Sequence, residues 1–438
     1  MREKIGRYQI LRKVGRGGMS DVFKAVDPAD RMVVAVKLLR PFEALLEMVG
    51  YDRLEELFVV EAETMSYLDH PAVTDVLDVG RDEEGKPYFV MEFLCNNIGK
   101  MIGESFRPDQ RTRQISPAKV CDYGSQLLEG LAHIHKYRVV HRDIKPGNVM
   151  VSDDERLRIC DFGMALVDEV SFSGPEGVQI GSPFYVAPEQ QREPGRVDGR
   201  ADLYSAGVLL QRMLTGMVPS SLEAERATVL FPESGWEVFF ARALDSDPAG
   251  RFQSAGEMRE ALARLRPEDC KGKSPGPARG PGREIAVPRK EPVNVCGKEA
   301  LAVFGLNELH QPEKSSANYP AVVGAGKIID RTTGLAWQAG ISEEALTFGE
   351  AGSYIDCLNK EGFGGRDNWR LPTVSELLSL LDFPWLGIET KTKPRQGWLW
   401  SSDLHGRQDA WYVNLEMGYA DWQDVGCRNF VRAVADEG

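Results

Sequence analysis

The chain has 438 residues, more than one hydrophobic core usually serves, and a hydrophobic share of 42% excludes disorder along its whole length, so two domains are expected. A net charge of −13 repels phosphate backbones and anionic lipid, which leaves nucleic-acid and membrane-surface roles without electrostatic support. No stretch reaches the roughly 18 apolar residues of a membrane span, and the opening Met1-Arg2-Glu3-Lys4-Ile5-Gly6-Arg7-Tyr8 lacks an apolar signal core, so the expected location is the cytoplasm. The seven cysteines form no CxxC pair and no zinc spacing with histidine, and reduced thiols are expected.

Residues 8–266 read as strands followed by helices. Gly15-Arg16-Gly17-Gly18-Met19-Ser20-Asp21-Val22 lies between two apolar runs, where missing side chains would let backbone N–H groups approach phosphates. Val34-Ala35-Val36-Lys37 follows at strand spacing. Leu54, Leu57, Phe58, Ala62, Met65 and Leu68 then mark one face of a helix, and Glu61 falls on that face. A carboxylate there either pairs with a cation such as Lys37 or lies at the stripe's edge and reaches water. Tyr88-Phe89-Val90-Met91-Glu92-Phe93-Leu94 has the composition of a buried strand running into a linker. Ser116-Pro117 opens a helix in the N-cap and first-turn order, with Val120, Leu127, Leu131 and Ile134 facing inward. That helix delivers His141-Arg142-Asp143-Ile144-Lys145-Pro146-Gly147-Asn148, and thirteen residues after Asn148 comes Asp161-Phe162-Gly163. An isolated Asp or Asn is usually a solvated loop residue or turn cap. Their joint spacing instead sets a base and two metal ligands as phosphoryl transfer requires.

Taken together, these motifs resemble the bacterial eukaryotic-like, Hanks-type Ser/Thr protein kinases over roughly the first 265 residues. The resemblance implies an α+β, two-lobed protein kinase fold working with ATP and Mg2+ on protein substrates. It implies nucleotide contacts by Val14, Gly15, Gly17, Gly18, Val22, Ala35, Lys37, Glu61, Met91, Glu92 and Leu94. Asp143 would accept or orient the substrate hydroxyl proton, Lys145 would neutralise the γ-phosphate, and Asn148 and Asp161 would hold magnesium. Lys145 two residues after Asp143 is the Ser/Thr form. Three departures stand out: Ser20 replaces the third glycine, the hinge reads Cys95-Asn96-Asn97-Ile98, and residues 42–50 lengthen the Lys37–Glu61 segment. Arg142 beside the base suggests control by phosphorylation, with Ser171 and Ser173 as candidate sites and Ser182 as a partner of Asp143 and Lys145. Glu189 is expected to pair with Arg251, and Asp202 with the catalytic-loop backbone.

Beyond residue 266, a stretch over 267–319 rich in Pro, Gly, Lys and Arg near its start reads as a linker. A second domain follows over 320–436, holding seven of the eight tryptophans. Capping boxes at Thr347/Glu350 and Thr373/Glu376 open two helices, and Trp411, Val413, Leu415 and Met417 alternate as a strand does, so this domain is α+β. Ile328 to Trp337, Trp369 to Leu377 and Trp400-Ser401-Ser402 resemble the C-terminal domain of bacterial collagen-like adhesins, which implies a C-type-lectin-like fold. Its tryptophans are expected mainly in the core, with a binding surface as the other use, and Cys357 and Cys427 as thiols. The expected role is recognition of an unknown ligand, protein or glycan. The rival reading is a nucleotide-binding pseudokinase scaffold that presents this module.

Overall fold

The computed structural model describes residues 3–105, 110–167, 184–219, 235–265, 288–313, 321–324, 326–331, 333–382 and 397–437. The chain divides into two compact units, Met1–Gly272 and Lys273–Gly438.

In the first unit, β1 (Lys4–Ile5), β2 (Tyr8–Arg16), β3 (Ser20–Val26), β4 (Val33–Leu39), β5 (Val76–Arg81) and β6 (Pro87–Glu92) form one antiparallel sheet in the order β1-β2-β3-β4-β6-β5. β4 is central and β-branched, and it is buried from Val34 to Leu39. Two helices cross between β4 and β5: α1 (Glu43–Val49), in the lengthened segment, and α2 (Tyr51–Tyr67). The apolar face of α2 buries Leu54, Leu57, Phe58, Ala62 and Met65, carries Glu61 in with it, and sets Phe58 5.2 Å from Phe89 of β6.

Below the sheet, helix Pro117–Lys136 starts where Ser116 accepts from the Lys119 N–H at 3.4 Å. Gly124 in this helix lets Leu210 and Leu262 close in, for an added Cβ would lie 2.8 and 2.7 Å from their methyls. The sheet layer and the helical layer are stitched by backbone bonds, Thr74 N–H to Ile159 O at 3.0 Å and Ile159 N–H to Ala72 O at 2.8 Å. Among the described residues no helix is long and apolar enough to cross a membrane.

The second unit has a four-stranded antiparallel sheet (Ala321–Gly324, Lys327–Asp330, Leu335–Gln338, Val434–Asp436) and a three-stranded one (Trp398–His405, Asp409–Asn414, Tyr419–Asp424). Both expected capping boxes open helices, Phe348–Glu361 and Val374–Ser379. Thr373→Ala should lower stability by about 1 kcal/mol, measured as the shift in the second unit's unfolding midpoint. Trp337, Trp369, Trp398, Trp400 and Trp411 are all buried, so their use is core packing, while Trp385 lies outside the described residues.

Three expectations are corrected. The linker over 267–319 is too long: the Val295 N–H bonds Leu404 O at 3.0 Å, and helix Gly297–Phe304 places Ala300 and Phe304 in the second unit's core with Val295 and Leu306. The apolar run Ala300 to Phe304, not the Pro/Gly composition ahead of it, decides that segment. The strand through Trp411 ends at Asn414 and is buried on both faces from Ala410, so Leu415 and Met417 lie past its end. Cys427, expected as a thiol, is in a disulfide, whereas Cys121, Cys160, Cys296 and Cys357 are the free thiols expected.

Candidate active site

The β2–β3 hairpin holds the glycine-rich segment. Gly15 stands opposite Val22, the Gly17 N–H bonds Ser20 O at 2.8 Å, and Ser20 is buried as the first residue of β3. Val14 is exposed, Val22 faces Lys37 in register, and Ala35 faces Met91 across the β4–β6 pair. Glu92 ends β6 with its carboxylate 3.1 Å from Arg158, and burial raises its pKa against the pull of that guanidinium. Leu94 follows, half-buried.

Lys37 joins two carboxylates. Its Nζ lies 2.6 Å from Glu61 Oε1 and 2.8 Å from Asp161 Oδ1. Burial works against the charge on Lys37, but Asp161 and Glu61 outweigh it and raise its pKa. The Lys37 charge holds Asp161 well below the usual carboxylate range. Glu61 moves the other way: burial pushes it up to about 7 although Lys37 opposes the shift. Glu61 Oε2 is a buried oxygen with no hydrogen-bond partner among the described residues, and it sits 3.3 Å from where a Cβ on Gly163 would be. That position therefore suits a glycine.

A second cluster forms around Asp143. Lys145 Nζ lies 2.6 Å from Asp143 Oδ2, and the Asn148 amide donates to both the Asp143 carbonyl and its Oδ2 at 2.9 Å. Burial raises the Asp143 pKa, with Lys145 pulling against it. The Asp143 N–H points at His141 Nδ1 at 3.3 Å, and His141 Nε2 reaches Cys160 O at 3.1 Å. The Cys160 N–H bonds Asn148 O at 3.0 Å, which brings the Asn148 and Asp161 segments together. Because the Asn148 NH2 is spent on Asp143, its amide oxygen is left as acceptor. That oxygen and the half-exposed Asp161 carboxylate are hard donors of the kind Mg2+ prefers, so these residues fit the ion.

Asp202 holds this loop from beneath. Its carboxylate accepts the His141 and Arg142 N–H groups at 2.9 and 2.8 Å and meets His135 Nε2 at 2.8 Å. The His141 and Arg142 bonds are the contact expected of Asp202. Arg142 has φ 64° and is buried, donating from Nε to Met164 O at 2.6 Å. Glu189 and Arg251 form the expected pair, with two bonds of 2.7 Å. Ser171, Ser173 and Ser182 lie outside the described residues.

Sequence reading missed three contacts: His135 with Asp202, the Gln190 amide donating to Arg142 O at 2.7 Å, and a buried Asp21 ringed by Lys13, Arg16 and Arg40. Only Asp21 carried a signal, since a carboxylate next to the apolar pair Val22-Phe23 at the start of a strand, with Lys13, Arg16 and Arg40 close along the chain, calls for cations around it.

Residues 8–240 match the family model for the protein kinase domain, and residues 326–435 match that for the Lcl C-terminal domain. The chain is similar to serine/threonine-protein kinase pkn2 of Myxococcus xanthus, 34% identical over 281 residues, covering 59% of this chain and 32% of that protein. It is also similar to serine/threonine-protein kinase PrkC of Bacillus subtilis, 30% identical over 269 residues, covering 58% of this chain and 39% of that protein. A solved structure of the PknI kinase domain from Mycobacterium tuberculosis, a double mutant, shares 25% identity with a TM-score of 0.46, covering 59% of this chain and 96% of that one. The chain thus spans well under half the length of these two curated relatives. Since the first match takes in more than half of the sequence and contains both clusters around Lys37 and Asp143, the chain belongs to the protein kinase family.

Proposed function

We propose that this chain is an ATP-dependent Ser/Thr protein kinase acting in the cytoplasm on protein substrates. The observation that carries the reading is Lys37 held between Glu61 and Asp161, with Asp143, Lys145 and Asn148 joined in one network nearby. Lys37 would grip the α- and β-phosphates while Glu61 fixes its position. The glycine-rich hairpin would cover the phosphates, and Val14, Val22, Ala35, Met91 and the backbone of Glu92 and Leu94 would take the adenine. Asn148 and Asp161 would hold Mg2+, which when bound neutralises charge across the phosphates. Asp143 then accepts the proton of a Ser or Thr hydroxyl as that oxygen bonds to the γ-phosphorus, the bond to the ADP oxygen breaks, and Lys145 faces the charge on the migrating group. A raised pKa at Asp143 suits a proton acceptor that must also let go.

The pseudokinase reading is disfavoured by the retention of Lys37, Glu61, Asp143, Asn148 and Asp161, and Ser20 is compatible with the hairpin because it is buried at the first position of β3. For the second unit we infer a recognition module of C-type-lectin-like type, whose ligand is a protein or a glycan. The activation segment is tested by mass spectrometry after incubation with Mg-ATP: phosphate should appear on Ser173 or Ser171 in the wild type and on neither in Asp161→Ala. Phosphate on neither residue of the wild type would refute that control.

A further inference from the structure

The segment that lengthens the path from Lys37 to Glu61 is bound to the glycine-rich hairpin. The Phe42 N–H donates to Gly18 O at 3.0 Å, and the Arg40 N–H to Met19 O at 2.9 Å. The Arg16 guanidinium lies 4.3 Å from the centre of the Phe42 ring. Buried Asp21 gathers Arg16 at 3.8 Å and Arg40 at 3.4 Å, tying hairpin and segment to one carboxylate. Leu45 closes against Gly18, whose added Cβ would sit 3.9 Å from the Leu45 methyl. α1 itself buries no residue and is seven residues long, too short to be stable alone. Its attachments to the hairpin are what the segment is built around.

These attachments fix the direction of the hairpin's amides. In a planar trans peptide the C=O and the following N–H point opposite ways. With the Gly18 and Met19 carbonyls held by the segment, the N–H groups of Met19 and Ser20 face away from it. Met19 also reaches the other side of the site, since its methyl lies 3.6 Å from an added Cβ on Gly163. We propose that Arg40 to Leu46 form a strap that orients the glycine-rich hairpin for a nucleoside triphosphate, with Phe42 as its principal positioning residue. The proposal rests on the kinase reading.

Phe42 has φ −65°, the value proline imposes, so Phe42→Pro removes the N–H donor and the ring at little backbone strain. Phe42→Ala keeps the donor and removes only the ring, and Phe42→Tyr keeps both. Affinity for a fluorescent ATP analogue is measured on the full chain, with KM for ATP and kcat alongside. The expected Kd and KM rise about threefold in Phe42→Ala and about tenfold in Phe42→Pro, the fold-changes of one exposed cation–π contact and of that contact with a hydrogen bond. Phe42→Tyr should stay near wild type, and kcat at saturating ATP should change by less than about twofold. Equal Kd values across the series in a chain that binds the analogue would overturn the strap and leave the kinase reading intact. A kcat that falls while Kd and KM hold would overturn it as well. A wild type that binds no analogue would overturn both readings.

Discussion

Lys37→Met should abolish measurable phosphoryl transfer and also lower the stability of the first unit by roughly 3 kcal/mol, the lower end of the cost of orphaning a buried charge. The two losses have separate causes. Transfer fails because among the described residues no other side chain links Glu61 with Asp161, so the phosphate grip and the fixed geometry go together. Stability falls because Glu61 is left in the core without its cation, while Asp161 keeps 46% of its side-chain surface exposed and adds little. The cost stays at the low end because Glu61 can take up a proton, its pKa already being about 7 with Lys37 present. Losing Lys37 raises the Glu61 pKa further, so the deficit relative to the wild type should deepen as pH rises through about 7, where the wild-type Glu61 ionises and the orphaned one stays protonated. Replacing both residues, as Lys37→Met with Glu61→Leu, removes the orphan and should restore most of the stability but none of the transfer. Denaturant unfolding at two pH values, beside a transfer assay, separates the two effects.

Trp411→Ala should destabilise the second unit by about 3 to 5 kcal/mol, the range for deleting a buried aromatic. Trp411 is fully buried, 4.9 Å from the Phe304 ring and 5.2 Å from Trp422, and its indole N–H donates to Val295 O at 3.1 Å. Its removal opens a cavity and leaves a carbonyl without its donor. Both consequences fall on the segment around helix Gly297–Phe304, so limited proteolysis should cut 294–306 in the variant well before the wild type. Equal cleavage rates would show that this segment is not held by the core. Trp411→Phe, which keeps most of the ring volume, should lose less stability than Trp411→Ala.

The first unit was legible where residue type and spacing both constrain the answer. The apolar stripe of α2 placed Glu61 on the buried face but left a water-facing edge as open as a pair, and it was the resemblance to the kinases that pointed to the cation 24 residues earlier. The catalytic loop was readable because Asp143, Lys145 and Asn148 are close along the chain and meet within one turn. Asp202 and Gln190 reach that loop from 48 to 61 residues away, and the bonds of His135 and Gln190 leave no local pattern. In the second unit, the capping boxes declared the helix starts. The docking of Val295 and Phe304 was hidden by the Pro/Gly-rich composition just before them, since a short apolar run reveals its partner only once the Trp411 strand has formed. The same strand ended early because Asn414 opens a turn: its Oδ1 accepts the Met417 N–H at 2.8 Å, its carbonyl accepts the Gly418 N–H at 2.9 Å, and Gly418 takes φ 66°.

The central claim, that these two clusters move a phosphoryl group to a hydroxyl, is tested most directly with γ-labelled ATP, Mg2+ and a generic protein acceptor, followed by phosphoamino-acid analysis. The wild-type chain should yield labelled phosphoserine or phosphothreonine, and Asp143→Asn should lower the rate by about a hundredfold or more. A wild type that binds nucleotide yet transfers no label, or an Asp143→Asn variant as fast as the wild type, would contradict the account.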